Sequence, residues 1–317
     1  MNLIREWDAL PENARGGAVS IGNFDGVHLG HARIIERLVR QARRVNGPAV
    51  VFTFDPHPVR ILRPEAAPPP LTWIDRKAEL LAALGVDHVV AYPTDEQLLR
   101  KTAREFFDSI IRGGLEALAL VEGPNFYFGH NRLGTIDVLR GFCQEARLQL
   151  EIVEPLVLGD EFVSSSRGRR LLAEGRVEEA ARMLTQPYRI RGMVTHGAGR
   201  GAKIGFPTAN LAAVDTLIPG PGVYAGRAYV NGTKCAAAIN IGPNPTFGEQ
   251  QLKIEVHLID THVSLYGQPL EVDFLARLRD IQPFPSVDAL QAQLARDVAV
   301  AKERVAGAPP HVGQGLP

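Results

Sequence analysis

Cysteine is nearly absent from this 317-residue chain: Cys143 and Cys235 are the only two. That excludes a disulfide framework and a cysteine-based zinc site. Both stand in apolar sequence and read as small packed hydrophobes of a reducing compartment. Charge of one sign is lacking too. The 35 basic and 35 acidic side chains cancel to a net charge of zero. Without a chain-wide positive field, nucleic acid is excluded as a partner, while a local basic pocket for a small anion is not. No apolar run approaches the roughly 18–20 residues of a membrane helix. The first ten residues, with Arg5, Glu6 and Asp8 among them, lack the apolar centre of a signal peptide. The expectation is a cytoplasmic protein with no membrane partner. The P-loop pattern G-x-x-x-x-G-K-[ST] occurs nowhere. Gly197-x-Gly199-x-x-Ala202 imitates a dinucleotide fingerprint, but Gly205, Pro207 and Asn210 break any helix after it, so that reading is rejected.

What the chain does have is two textures. A length of this size fits two domains of roughly 100–200 residues. In the first half, short β-branched runs alternate with helical stripes. Residues 17–21 form an apolar run. Residues 29–45 carry Ile34, Ile35, Leu38, Val39 and Ala42 at helical spacing, and 48–54 is β-branched and aromatic. Helices are expected at 75–84, 102–111 and 133–146, and strands at 86–92, 115–121 and 148–153. Buried strands separated by helices imply a doubly wound parallel sheet with helices on both faces. The Pro-rich stretch 64–70 reads as a stiff surface connection. From Tyr188 to Ala276 the runs shorten and alternate, and Asn231-Gly232 is a hairpin signal. This half reads as a small antiparallel β-barrel. A terminal helix follows over 286–305, with Ser286 as N-cap, and then a Gly/Pro-rich disordered tail.

Two segments carry chemistry. Gly22-Asn23-Phe24-Asp25-Gly26-Val27-His28-Leu29-Gly30-His31 joins the first strand to the first helix, where a parallel sheet binds ligands and a helix N-terminus suits phosphate. His28 and His31, three apart, share a face and can donate to charge developing on a phosphoryl group. No third ligand of suitable type lies near them for a metal. In the second half, the flap Gly197–Lys203 offers backbone N–H groups from Gly199 and Gly201 together with Lys203. Thr208 and Asn210 then supply hard oxygen ligands suited to Mg²⁺ carried by a nucleotide, and Glu255, on a strand, can accept a proton from an alcohol.

The string GNFDGVHLGH resembles the G-x-F-D-x-x-H-x-G-H signature of the nucleotidylyltransferase superfamily. In its fuller form it resembles the branch found in bacterial bifunctional riboflavin kinase/FMN adenylyltransferases, or FAD synthetases. Thr53-Phe54-Asp55-Pro56-His57-Pro58, Gly123-Pro124-Asn125-Phe126-Tyr127-Phe128-Gly129 and Ser164-Ser165-Ser166-Arg167-Gly168-Arg169 are similar to further strings of that family. So are the Pro207-Thr208-Ala209-Asn210 stretch, Gly222-Val223-Tyr224-Ala225, Asn240-Ile241-Gly242-x-x-Pro245-Thr246-Phe247 and Glu255-Val256-His257-Leu258. Gly168 stands where the family has Ile. The likeness spans about residues 15 to 305. It implies an FMN adenylyltransferase domain over 1–184, a riboflavin kinase domain over 185–306 and a tail over 307–317. It further implies riboflavin, FMN, FAD and ATP as substrates and products, with Mg²⁺ as cofactor. In the adenylyltransferase, Gly22, Phe24, Asp25, His28, His31, Ser164, Ser165, Ser166 and Arg169 would bind ATP, with Arg167 or Arg170 able to replace Arg169, and Asn125 would face the flavin. In the kinase, Gly199, Gly201, Lys203, Thr208 and Asn210 would hold MgATP and Glu255 would be the base. A flavin-binding sensor without turnover would need neither the histidine pair nor the Thr208, Asn210 and Glu255 set.

Overall fold

A computed structural model describes residues 1–243, 252–261 and 263–308. Of the expected features, Pro245, Thr246 and Phe247 and the tail from residue 309 lie outside them. The chain divides into two compact units: Met1–Pro68 with Trp73–Ser164, and Pro69–Thr72 with the chain from Ser165 onward.

The first unit runs β1 (Asn2–Ile4), β2 (Ala18–Ile21), α1 (Leu29–Arg44), β3 (Ala49–Asp55), α2 (Pro58–Leu62), α3 (Ile74–Ala83), β4 (His88–Pro93), α4 (Glu96–Arg100), α5 (Ala103–Phe106), β5 (Ala119–Glu122), α6 (Ile136–Ala146) and β6 (Gln149–Ile152), then a small hairpin, β7 (Val157–Leu158) and β8 (Glu161–Phe162). Six strands form one parallel sheet in the order β1-β4-β3-β2-β5-β6. Strand alternation sorts its residues between two cores. Val19, Ile21, Val50, Phe52, Val90 and Leu120 face Phe106, Phe107, Ile110, Leu139 and Cys143. Ala18, Ala49, Val51, Val89 and Val121 face Ile35 and Leu38 of α1 and Ala78 and Leu81 of α3. Helices therefore cover both faces, as the near-continuous apolar strands require. The order reverses between β2 and β5, which makes the carboxyl end of β2 the switch point where such sheets bind ligands.

Among the readings that differ from the sequence expectation, three are local changes of element type or extent. Strand β1 was not anticipated; it is a three-residue parallel edge beside β4. The expected helix over 102–111 is α only to Phe106 and continues as a π-helix over Phe107–Gly114. The glycine flap does form one helical turn, α9 (Arg200–Lys203), because Gly199 at φ +66° serves as its N-cap before Gly205 ends it.

The second unit opens with α7 (Ser165–Ala173) and α8 (Val177–Met183). Strands β9 (Tyr188–Thr195), β10 (Ala209–Ala212), β11 (Gly222–Val230), β12 (Thr233–Gly242), β13 (Lys253–Leu258) and β14 (Pro269–Arg279) close an antiparallel barrel in the order β10-β13-β12-β11-β14-β9. Helix α10 (Val287–Ala306) follows, capped by Ser286, whose Oγ accepts the Ala289 N–H at 3.1 Å. Asp297 of α10 is buried and takes Arg279 Nη2 at 2.7 Å, which fastens the helix to β14. Pro69–Thr72 belongs to this unit through Leu71, fully buried, and through Pro70, whose carbonyl accepts the Leu217 N–H. Among the described residues no helix is long and apolar enough to cross a membrane.

Candidate active sites

In the first unit the backbone leaves β2 through a tight loop and enters α1 at Leu29. Phe24 and Val27 adopt φ +44° and +39°. For a β-branched valine that is a strained conformation, held by the surrounding packing at a cost of about 1–3 kcal/mol. His28 is not in the first helical turn but immediately before it. As the N-cap, its Nδ1 accepts the His31 N–H at 3.2 Å. The two rings stack with centroids 3.6 Å apart and 16° between planes. A Cβ on Gly30 would stand 3.1 Å from the His28 ring, so glycine there keeps the stack close.

This geometry fixes the imidazole chemistry. A ring nitrogen that accepts a backbone N–H carries no proton, so His28 presents its proton from Nε2. Burial pushes His28 down to about 4, against the opposing effect of Asp25. Burial, then His28, then Lys77 hold His31 well below the ordinary histidine range. Two imidazolium charges about 4 Å apart would repel by roughly 4 kcal/mol at an effective dielectric of 20. Burial and mutual repulsion therefore favour the neutral pair, in which His28 can donate from Nε2. Asp25 is buried beside it.

Two groups at this end of the sheet escaped the sequence reading. Glu122, at the end of β5, is 3% exposed and accepts the Ile21 N–H at 2.7 Å. It replaces a ladder bond where β2 and β5 diverge beyond Val19 and Leu120. Burial raises its pKa well above the carboxylate range despite that bond. Lys77 of α3 is 7% exposed, with Nζ 3.4 Å from Thr53 Oγ1. A carboxylate among apolar strand residues and a lysine on an amphipathic helix both read as ordinary surface groups, so no sequence signal marks them.

Asn125 is exposed in the loop that leaves β5, the strand across the switch point. The loop is anchored by Phe128, buried and paired to Gly134 through both backbone bonds, with Phe126 stacked on it. Ser164 closes the first unit, whereas Ser165, Ser166 and Arg169 lie on α7 of the second. There Arg169 Nε donates to the Pro69 carbonyl at 3.0 Å. Gly168 is buried, and a Cβ there would meet Leu71 at an ordinary 3.6 Å.

In the second unit Asn210, Glu255 and Asn240 stand side by side in register on β10, β13 and β12. Asn240 Nδ2 donates to Glu255 Oε2 at 3.4 Å. Two residues along β13, hence on the same face, His257 Nδ1 donates to the Pro207 carbonyl at 2.8 Å and pins the loop that carries Thr208. The flap folds down over these residues. A Cβ at Gly197 would come within 2.2 Å of Asn210 Nδ2, and one at Gly201 within 2.3 Å of the Phe206 carbonyl. Gln291 of α10 donates to the Ile204 carbonyl and ties the flap to the terminal helix. The resulting cavity is lined by Gly199, Gly201, Thr208, Asn210 and Glu255 among others. Ile281, Phe284, Leu290 and Leu294 also line it. Asn240 thus holds the Glu255 carboxylate and His257 the loop that carries Thr208.

Comparison with known proteins agrees with both halves. A family model described as FAD synthetase matches residues 10–167, and one described as riboflavin kinase matches 184–305. Bifunctional riboflavin kinase/FMN adenylyltransferases of Escherichia coli strain K12 and Pseudomonas fluorescens are 35% identical over 305 residues and 36% over 303. These alignments cover 96% and 95% of this chain and 97% of each relative. A crystal structure described as a macrolide-efflux protein from Streptococcus pneumoniae superposes with a TM-score of 0.83 at 31% identity, covering 95% of this chain and 98% of that one. The chain belongs to the bifunctional riboflavin kinase/FMN adenylyltransferase family, an enzyme whose N-terminal half adenylylates FMN and whose C-terminal half phosphorylates riboflavin.

Proposed function

We propose that adenylylation is performed at the His28–His31 loop and phosphorylation at Glu255 under the glycine flap, with 1–184 and 185–306 as the working division. The observation that carries this reading is that the histidine pair and Asn125 lie in the first unit and Thr208, Asn210 and Glu255 in the second, although Ser165, Ser166 and Arg169 of the adenylyltransferase motif fall on α7 of the second unit.

In the kinase, the Glu255 carboxylate takes the proton of the riboflavin 5′-hydroxyl as that oxygen bonds to the γ-phosphorus of ATP. The bond from the γ-phosphorus to the bridging oxygen breaks, and ADP leaves. Asn240 keeps Glu255 turned toward the hydroxyl. Backbone N–H groups of the flap, with Gly199, Gly201 and Lys203, cradle the phosphates. The work is positioning and charge stabilisation. In the adenylyltransferase, a phosphate oxygen of FMN bonds to the α-phosphorus of ATP, and pyrophosphate leaves with its electron pair. FMN phosphate is already an anion, so no base is needed. Neutral His28 and His31 donate hydrogen bonds to the charge that develops. Gly22, Phe24 and Asp25 bind ATP and Asn125 contacts the flavin; the Ser164, Ser165, Ser166 and Arg169 motif, which the resemblance implies for the departing phosphates, is divided between the two units.

Thr208 and Asn210 fit Mg²⁺: a hydroxyl and an amide oxygen are hard donors beside the Glu255 carboxylate. Among the described residues no group of three or more His, Cys, Asp or Glu could hold a metal. Such an ion would neutralise charge on the transferring phosphates. The cytoplasmic placement follows the same reading, as ATP is the co-substrate and both cysteines are free thiols.

Chromatographic product analysis tests the assignment. The pair of substitutions His28→Ala and His31→Ala should lower FMN adenylylation by at least about 10³-fold, with riboflavin phosphorylation kept. Glu255→Gln should lower phosphorylation by about 10²–10⁴-fold with adenylylation kept. Loss of the opposite activity in either variant contradicts the assignment.

A further inference from the structure

Tyr266 lines the kinase cavity but has no part in the reaction as derived so far. It stands in the chain between β13 and β14 and is 53% exposed. Its turn does not need the ring to hold it. The Gly267 N–H donates to the Val194 carbonyl and the Val194 N–H to the Gln268 carbonyl, both at 2.9 Å, and Leu265 is buried. One face of the Tyr266 ring stacks on the His196 imidazole, with centroids 4.0 Å apart and 19° between planes. His196 directly follows β9 and leads into the flap, since the next residue is Gly197, packed against the Asn210 amide. Val194 in turn pairs with Leu211, the neighbour of Asn210. The braced ring thus stands beside the strand ends that carry the flap and Asn210, the groups assigned to the nucleotide. Gly197, Asn210 and Tyr266 all line the one cavity. A tyrosine ring ordinarily packs its apolar body and wets only its tip. Here more than half of the residue stays open, at a cavity whose substrates both carry flat heterocycles.

We propose that Tyr266, braced by His196, is a binding residue of the kinase: its ring is the platform on which the adenine of ATP stacks while the flap holds the phosphates. His196 fixes the plane of the ring, so less side-chain freedom is lost when the base arrives. The Tyr266 hydroxyl makes no hydrogen bond among the described residues, which leaves the ring itself as the contact. Stacking on a π-face also requires no hydrogen-bond partner from the base. This inference rests on the placement of phosphorylation under the flap. Failure of that placement shows separately, as phosphorylation kept in Glu255→Gln.

The test uses the full-length chain as wild type, Tyr266→Leu and Tyr266→Phe. Riboflavin phosphorylation is followed as FMN plus FAD formed, and its inhibition by ADP is compared with its inhibition by inorganic tripolyphosphate, which has the phosphates but no ring. In Tyr266→Leu the inhibition constant of ADP should rise by about tenfold or more. The tripolyphosphate constant and the KM for riboflavin should stay as in wild type. Tyr266→Phe, which keeps the ring, should bind ADP as wild type does. An unchanged ADP constant in Tyr266→Leu overturns the proposal. Equal weakening of ADP and tripolyphosphate overturns it too, because the ring would then only brace the flap. So does a loss confined to riboflavin, which would put the isoalloxazine on the ring, and so does weakened ADP binding in Tyr266→Phe, which would make the hydroxyl the contact. Tyr266→Trp tests the stack independently of whether Tyr266→Leu folds. Its added indole emission should be quenched by ADP and not by tripolyphosphate, and emission that ADP leaves unchanged contradicts the stack.

Discussion

Glu122 shows what a single residue can cost at a ligand-binding end of a sheet. Its carboxyl satisfies the Ile21 N–H, but burial holds it protonated where an unfolded chain would have ionised it. A carboxyl whose folded pKa is raised binds more protons folded than unfolded, so stability falls as pH rises above the unfolded value. Glu122→Gln keeps the acceptor oxygen and removes the titration. The variant should therefore melt at a higher temperature than wild type at pH 8, and its advantage should shrink as pH falls toward about 4.5. Thermal unfolding at several pH values measures this. An advantage that does not change with pH would mean that Glu122 does not titrate in that window. His28 works in the opposite sense: its depressed value makes the folded first unit lose stability as pH falls from about 6.5 toward 4. Glu122→Gln and wild type share that slope, so it cancels between them.

At the scale of elements, the flap is the informative piece. The sequence marks its glycines as phosphate-cradling residues, and the structure gives some of them a second reason. Gly197 lies so close to the Asn210 amide that a methyl group has no room. Gly197→Ala must move either the flap or Asn210. A displacement of about 1 Å can cost on the order of 10² in rate, so riboflavin phosphorylation should fall by about that factor while adenylylation is unaffected. Assays of both activities on one preparation check it, and unchanged phosphorylation would refute the close approach. Elements were legible wherever a period ran long enough. The α1 stripe at Ile35 and Leu38, the β3 run and the alternation of β9, β11 and β13 all appear at their expected places within a few residues. Elements whose identity depends on partners were not legible. Strand β1 is three residues long and exists because β4 offers a parallel edge. The π-helix over Phe107–Gly114 keeps the apolar spacing of an α-helix and differs only in which carbonyl each N–H finds. For the sites, short motifs with unusual residues could be read, whereas Lys77, Glu122 and the orienting roles of Asn240 and His257 could not. A lysine at a helix position gives no sign of which way it points.

At the scale of the whole molecule, the absences of the opening reading take on meaning. Zero net charge did not mean that strong fields were missing. It meant that they are local: a neutral imidazole pair beside Lys77 and Asp25, and a flap carrying Arg200 and Lys203. Each unit has its own core, and on the proposed assignment FMN is the species that passes from one reaction to the other. The central claim is that the two centres work independently. It is tested most directly by mixing two inactive variants. Glu255→Gln protein and protein carrying both His28→Ala and His31→Ala are each given riboflavin, ATP and Mg²⁺, alone and together, and FAD is measured. Neither variant alone should make FAD. The mixture should, because FMN released by the histidine variant is adenylylated by the Glu255 variant. FAD from either variant alone, or none from a mixture whose members each retain their own half-reaction, would contradict the account.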